Sequence, residues 1–317
     1  MTAPQNAPQR ARILFVDDEE RIINLLRVMF RGTYEVFTAS GGAQALEILQ
    51  KEHIDVIVSD QRMPGMTGVQ LLAKVCQQWP HTVRVLLTGY ADQEAILGSV
   101  NDGQIFRYIT KPWDQDAFRA TLADAADVGQ MQSRPAPIVT PPGSAGRAGP
   151  APTAGVLLLD DSESDSALVR QALGAEITVY RADSVAGALQ LLARHAIGVM
   201  VCESRVGGVD TGQLLHALKT HFPALITVML TDHTDADEVV RLINQARIYR
   251  FASKPIRPAV LSLAVSAAMK EHHRCVGDAR HVALHRTGRV SALDTPVPSG
   301  ILQGLKAMTA RWRLFSA

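Results

Sequence analysis

Apolar positions in the first part of the chain fall into short, mainly unbroken runs, and between the runs they recur every three or four residues. The runs are Ile13 to Val16, Tyr34 to Thr38, Ile54 to Ser59, Val83 to Leu87 and Ile105 to Ile109. Runs this short, each closed by a polar residue, suit strands buried on both faces of a sheet. The helical periodicity is plain in Ile22, Ile23, Leu26, Met29 and Phe30, which Gly32 stops. Further helices are predicted over Gln44–Lys51, Gln70–Gln77, Asp92–Asn101 and Asp114–Val128. Strands alternating with amphipathic helices predict a parallel sheet covered on both sides.

The pattern then occurs a second time. At a constant offset of 143, Asp17 matches Asp160, Asp18 matches Asp161, Thr88 matches Thr231, Lys111 matches Lys254 and Pro112 matches Pro255. Arg62 likewise matches Arg205, and Leu71-Leu72 matches Leu214-Leu215. A fixed offset without gaps marks a duplicated domain. The expected fold is therefore α/β: two flavodoxin-like, doubly wound, five-stranded parallel-sheet domains. The first is expected over 12–130 and the second over 155–272. Residues 131–154 hold Pro135, Pro137, Pro141, Pro142, Pro150 and Pro152 with Gly143, Gly146 and Gly149, and read as a disordered linker. Residues 1–11 read as a disordered N-terminus, and 273–317 as a basic tail. Within that tail Ile301, Leu305, Met308, Trp312 and Phe315 keep the spacing of a short amphipathic helix.

Composition narrows the function. The formal net charge is +1 and charged residues make up 20% of the chain, which gives no reason to expect nucleic acid as the main partner. The three cysteines have no metal-like spacing, and an odd number makes a poor disulfide framework, so reduced thiols in a cytoplasmic protein are expected. The start of the chain lacks the apolar stretch of a signal peptide, and no run reaches the roughly 20 residues of a membrane span.

The candidate chemistry lies at the strand ends, where doubly wound sheets bind ligands. Asp17 and Asp18 follow the first strand, Asp60 the third, Thr88 the fourth and Lys111 the fifth. Carboxylates gathered at one place call for a cation, and hard oxygen donors suit Mg²⁺ or Mn²⁺. A carboxylate beside such an ion can attack phosphorus, while a Lys ammonium and a Thr hydroxyl steady the transferring oxygens. Taken singly, an Asp at a strand end is as good a helix cap. The joint match, repeated at a fixed offset, is what points to a site.

The segments Val16-Asp17-Asp18-Glu19, Ser59-Asp60-Gln61-Arg62-Met63-Pro64-Gly65, Leu87-Thr88-Gly89-Tyr90 and Thr110-Lys111-Pro112-Trp113 together resemble the receiver domains of two-component response regulators. The resemblance implies that Asp60 accepts a phosphoryl group from a sensor histidine kinase or a histidine phosphotransfer protein. It implies that Asp18, Asp60 and the Arg62 backbone carbonyl hold Mg²⁺ (or Mn²⁺) directly, with Asp17 acting through water. Lys111 would pair with the phosphoryl oxygens, and Thr88 and Tyr108 would form a switch in which phosphorylation draws Tyr108 inward. The Lys111-Pro112 bond is expected to be cis, and Tyr90 to border the path of attacking water. The chain itself is expected to be no enzyme beyond self-phosphorylation and slow loss of the phosphoryl group.

The second copy keeps Asp160, Asp161, Thr231 and Lys254 but has Glu203 where the first has Asp60, and Gly207 in place of Pro64. An added methylene moves the carboxylate by on the order of an ångström, enough to spoil in-line attack. The second domain is thus expected to be a pseudo-receiver that takes up no phosphoryl group. Whether Glu203 mimics the phosphorylated state or is simple decay stays open, with phosphorylation of Glu203 itself a third reading. No DNA-binding or catalytic output domain is recognisable, so two functions are carried forward. One is a phosphorylation-controlled module that binds a downstream protein or associates with itself. The other is a phosphoryl-transfer intermediate or sink. The tail histidines His272, His273, His281 and His285 could suggest a relay site, but the tail is expected to be too short for the helical bundle that one needs.

Overall fold

A computed structural model describes residues 10–89, 105–133, 154–231 and 236–286. Tyr90, the helix expected over Asp92–Asn101, nearly all of the linker and the segment Ile301–Phe315 lie outside the described residues. The chain divides into two compact units, 1–134 and 135–317.

In the first unit the elements are β1 (Arg12–Val16), α1 (Glu20–Phe30), β2 (Glu35–Ala39), α2 (Gly42–Lys51), β3 (Val56–Asp60), α3 (Gly68–Gln78), β4 (Val83–Thr88), β5 (Arg107–Thr110) and α4 (Gln115–Ser133). The five strands form one parallel sheet in the order β2-β1-β3-β4-β5. The order reverses direction between β1 and β3, so the carboxyl ends of these two strands flank the crevice where such sheets bind ligands. β1, β3 and β4 are buried along almost their whole length, as unbroken apolar runs require. Against this sheet α1 packs Ile23, Leu26 and Phe30, and α4 packs Phe118, Leu122 and Ala125. Phe30 stacks on Phe15 at 5.5 Å and meets Phe118 at 5.3 Å, which ties both helices to β1.

Helix α4 runs beyond Val128 because its last turn is anchored on the start of β3. The Ser133 hydroxyl donates to Asp55 Oδ1 at 2.9 Å and Gln132 is buried. A Cβ on Gly129 would lie 2.6 Å from the Asp55 carbonyl oxygen, so only glycine allows this approach.

The second unit contains β6 (Gly155–Leu159), α5 (Glu163–Leu173), β7 (Val179–Ala182), α6 (Val185–Arg194), β8 (Ile197–Glu203), β9 (Arg205–Val206), β10 (Val209–Asp210), α7 (Gly212–His221), β11 (Ile226–Thr231), α8 (Ala236–Ala246), β12 (Arg250–Ser253), α9 (Pro258–Gly277) and α10 (Ala279–His285). Its sheet order, β7-β6-β8-β11-β12, is that of the first unit. Both units are therefore flavodoxin-like, doubly wound, parallel-sheet domains.

Two features depart from the expectation. The miniature antiparallel hairpin β9–β10 replaces the simple loop of the first unit, turning at Gly207 and Gly208 with φ of 58° and 78°. More substantially, the second unit does not fade into a tail at 272. α9 continues to Gly277, and Asp278 caps a further helix, α10, through its side chain and the Arg280 N–H. Val282 packs on the core of the unit, Ala283 and His285 are buried, and His285 Nε2 meets Glu271 Oε1 at 3.0 Å. The segment reads as polar in the sequence because its anchors are a histidine and an alanine. Among the described residues, no helix is long and apolar enough to cross a membrane.

Candidate functional site

The polar residues that close the strands of the first unit converge. Asp17 is fully buried at the end of β1, and its Oδ1 accepts from the Glu19 N–H at 2.9 Å, which fixes the carboxylate. Asp60 ends β3, and its Oδ2 accepts from the Arg62 N–H at 2.6 Å, which brings the Arg62 peptide to the site. The Lys111 N–H donates to the Thr88 carbonyl at 2.8 Å, so the ends of β4 and β5 are held side by side. From there the Lys111 ammonium reaches Asp60 Oδ1 at 2.5 Å and Asp17 Oδ2 at 3.0 Å. The Lys111-Pro112 bond is cis. Asp18 is exposed beside the pair.

Electrostatics follow from this packing. Burial raises the Asp60 pKa above the ordinary carboxylate value; Lys111 and the Arg62 N–H oppose that, and the Asp17 charge adds to it. Burial works against the Lys111 ammonium, but its bonds to Asp60 and Asp17 outweigh the penalty and its pKa is raised. Asp17 and Asp60 share one ammonium and Asp18 lies beside them, so the site carries unbalanced negative charge on hard oxygen donors. That donor set and that deficit fit a small divalent cation held by Asp17, Asp18, Asp60 and the Arg62 carbonyl.

Gln61 and Gly68 are functional neighbours that the sequence did not single out. The Gln61 side chain accepts from the Val69 N–H at 3.1 Å, and its backbone oxygen accepts from the Gly68 N–H at 3.0 Å. A Cβ on Gly68 would lie 2.1 Å from the Asp60 carbonyl oxygen. The start of α3 is thus seated directly on the peptide of Asp60, behind a capping box made by Thr67 and Gln70. Thr88 is fully buried, and the Tyr108 ring is already inside at 2% exposure.

At the second site Lys254 again follows Thr231, its N–H donating to the Thr231 carbonyl at 2.9 Å, and Lys254-Pro255 is cis. Its ammonium is differently employed. It reaches Glu203 Oε1 at 2.8 Å and Asp165 Oδ2 at 2.7 Å, while Asp160 Oδ2 stands off at 3.6 Å. Asp160 is buried, which raises its pKa, and its Oδ2 has no hydrogen-bond partner. Asp161 Oδ2 accepts from the Gly207 N–H at 2.8 Å, a donor that Pro64 cannot supply in the first unit. Thr211 stands where the first unit has Gly68, and its hydroxyl donates to the Glu203 carbonyl at 2.7 Å. The bulk of Thr211 cannot seat a helix on that carbonyl as Gly68 does, which accounts for α7 starting one position later. Asp165 was missed in the sequence; its signal was the pairing of an acid with the apolar Ile22 at the 143 offset.

Among the described residues, two groups place metal-ligand types of atom within 4.8 Å of one another: Asp160, Asp161 and Glu203, and the buried set Glu271, Cys275 and His285. The second is a hydrogen-bonded clasp rather than an ion site. His285 Nε2 is already engaged by Glu271, and the buried cations Lys219 and Arg247 lie close enough to lower the His285 pKa further. At the 143 offset these three residues correspond in sequence to Val128, Gln132 and Pro142. His272 packs its ring against Gly198 and bonds the Ala224 carbonyl, whereas His273 is exposed.

The chain is similar to known proteins. The family described as response regulator receiver domain matches twice, over residues 13–123 and 156–266. The hydrogenase transcriptional regulatory protein HoxA of Cupriavidus necator is 39% identical over 124 residues, 39% of this chain and 26% of the relative. The DNA-binding transcriptional regulator NtrC of Escherichia coli (strain K12) is 34% identical over 128 residues, 40% of this chain and 27% of that protein. The chain thus spans about a quarter of the length of these relatives. Among solved structures, the signal receiver domain of an HD domain-containing protein from Pseudomonas fluorescens Pf-5 aligns at 36% identity and a TM-score of 0.38, covering 38% of this chain and 98% of that one.

Proposed function

The chain belongs to the response regulator receiver domain family, and from that premise we propose that its first receiver is phosphorylated on Asp60 and its second accepts no phosphoryl group. The observation that carries this reading is the Lys111 ammonium bridging Asp60 and Asp17 at 2.5 and 3.0 Å. It places a fixed cation beside the one carboxylate that ends β3.

In the proposed transfer an Asp60 carboxylate oxygen bonds to phosphorus. The phosphorus–nitrogen bond to the imidazole of a histidine kinase or phosphotransfer protein breaks, and that nitrogen keeps the electron pair. Lys111 stabilises charge on the transferring oxygens, and the Arg62 N–H holds the other Asp60 oxygen so that one orientation is presented. Receiver domains generally bind Mg²⁺ at the phosphorylation site; here Asp17, Asp18, Asp60 and the Arg62 carbonyl would hold it, and the ion would neutralise charge on the phosphoryl oxygens. Thr88, buried next to the end of β4, would bond a phosphoryl oxygen and carry the change into the β4–β5 edge. The output is then a protein-binding face that meets a downstream partner or a second copy of the chain.

The test is the intact mass of the full chain after incubation with Mg²⁺ and a small acyl phosphate. Wild type is expected to gain one phosphoryl group and Asp60→Asn none. Uptake by the Asp60→Asn protein, or two groups on wild type, would refute the assignment.

A further inference from the structure

The two sites share a scaffold, so each residue that differs at the 143 offset can be asked what it does. Glu203 for Asp60 is one such change, and Asp165 for Ile22 is the other that reaches the ammonium. Asp165 lies in the first turn of α5, where the Ser162 hydroxyl accepts from its N–H at 3.2 Å. From there its carboxylate crosses to Lys254 at 2.7 Å, the shortest contact that ammonium makes. Among the described residues the ammonium of Lys111 pairs with Asp17 and Asp60, and the place of Asp165 is taken by the apolar Ile22.

The consequence is visible at Asp160. In the first unit the ammonium sits 3.0 Å from the equivalent Asp17; in the second it has moved off to 3.6 Å, and the buried Asp160 Oδ2 is left without a hydrogen bond. Lys254 has been drawn from the position it would hold in a working site towards the longer Glu203 and the one added charge, Asp165. A phosphoryl group carries about −1.5 to −2 at neutral pH. Glu203 and Asp165 together bring two negative charges within hydrogen-bond range of the same ammonium. We propose that Asp165 is a positioning residue which, with Glu203, occupies the phosphoryl group's place around Lys254 and fixes the second receiver in one state. This inference rests on the reading of Asp60 and Lys111 as the phosphoryl site of the first unit.

Two more links in this unit act in the same direction. The Gly207 N–H engages Asp161. The guanidinium of Arg241 on α8 bonds Asp210 Oδ2 through both terminal nitrogens at 3.2 Å, while Asp210 Oδ1 accepts from the Gly212 N–H at the start of α7. Thr67 and Gly98 stand at the corresponding places in the first unit and cannot form that ion pair. The loop after β8 and helix α8 are thus tied by Asp210 and Arg241, and the lysine beyond β12 by Asp165, charged side chains that the first half of the chain lacks at the 143 offset.

The experiment uses the full chain with Mg²⁺ and a small acyl phosphate. It compares wild type, Glu203→Asp, Asp165→Asn, Asp165→Ile and the doubles Glu203→Asp/Asp165→Asn and Glu203→Asp/Asp165→Ile. Phosphoryl groups are counted by intact mass, and hydrogen exchange is followed in α7 and β12. Restoring the acceptor alone is expected to add a second phosphoryl group only slowly, because Asp165 still holds the ammonium. Either double is expected to take up a second group faster than Glu203→Asp by on the order of a hundredfold, as for return of one charge-stabilising donor. Asp165→Asn and Asp165→Ile are each expected to speed exchange at the end of β12 without any phosphodonor. Asparagine keeps the shape and isoleucine is the residue of the first unit, so an effect shared by both is not one of misfolding. Second-site uptake by Glu203→Asp as fast as by the doubles would overturn the proposal, as would unchanged exchange in both single Asp165 variants. Uptake at the first site is scored separately on Asp60, so failure of the Asp60 reading shows as a missing first group and leaves the exchange result to judge Asp165.

Discussion

His285 offers a sharp test of how the second receiver is held together. It lies on α10, outside the repeated pattern, yet it is 8% exposed and its Nε2 sits 3.0 Å from Glu271 Oε1. Burial pushes its pKa down from 6.5 to about 4, the Glu271 bond opposes that, and Lys219 and Arg247 add to the depression. The unfolded chain therefore takes up a proton near pH 6.5 that the folded chain refuses until about pH 4. Between those values the unfolded state binds more protons, so stability is fully present above pH 6.5 and is lost as the pH falls towards 4. At roughly 1.4 kcal/mol per unit the whole displacement corresponds to about 3 kcal/mol, an upper figure because the Glu271 carboxylate shares the proton. The assay is urea unfolding of the full chain at pH 7 and at pH 5, followed by hydrogen exchange in α9. His285→Gln keeps a donor for Glu271 but does not titrate. Wild type is expected to lose on the order of 2 kcal/mol between the two pH values, and the variant much less. An equal loss in both proteins would refute the claim that the buried imidazole clasps α10 to the domain.

Three further outcomes are expected. Lys219 is fully buried, donates to the carbonyls of Leu225 and Pro223, and has a pKa lowered by burial from 10.5 to about 7. Since the unfolded chain holds that proton up to about pH 10.5, stability of the second unit should rise from pH 7 to pH 9; urea midpoints should show this rise flattened in Lys219→Met. Gly68→Ala would put a Cβ 2.1 Å from the Asp60 carbonyl oxygen, and either α3 or the acceptor must move. A loss of about 2–4 kcal/mol in the first unit, with phosphoryl uptake down by at least roughly tenfold, should appear in denaturation and intact mass. Lys111→Met should cut phosphoryl uptake by on the order of a hundredfold while leaving the mass of the Asp60→Asn protein unchanged; uptake at the wild-type rate would remove Lys111 from the site.

The residues of the first site were legible because each closes a buried run. An apolar strand that ends in Asp17, Asp60, Thr88 or Lys111 delivers that side chain to the carboxyl edge of the sheet, whatever the helices between do. Sheet order followed from the alternation of strands and helices, which limits how parallel strands can connect. The helix α10 was hidden for a different reason. Its buried face is made by Ala283 and His285, and a histidine satisfied by a glutamate one helix away leaves no mark in the apolar period. Asp165 was hidden because acids in a first helical turn ordinarily answer the helix dipole. Only its reach to Lys254, a contact 89 residues away in sequence, gives it another meaning.

The pair of sites also shows why the lost nucleophile is not the whole difference between the units. Glu203 alone could be decay, since a longer carboxylate still pairs with a lysine in a vacated site. Decay does not account for Asp165 arriving on another element, for Gly207 supplying an N–H that Pro64 lacks, or for Arg241 meeting Asp210. Each of these changes joins a different piece of the acceptor end to its neighbour, and each uses a charge or donor absent from the first unit. A site drifting without function would be expected to lose partners, as the unpaired Asp160 Oδ2 has done. Here the loop after β8, helix α8 and α5 each hold such a partner, which is the pattern that the proposed fixed state of the second receiver requires.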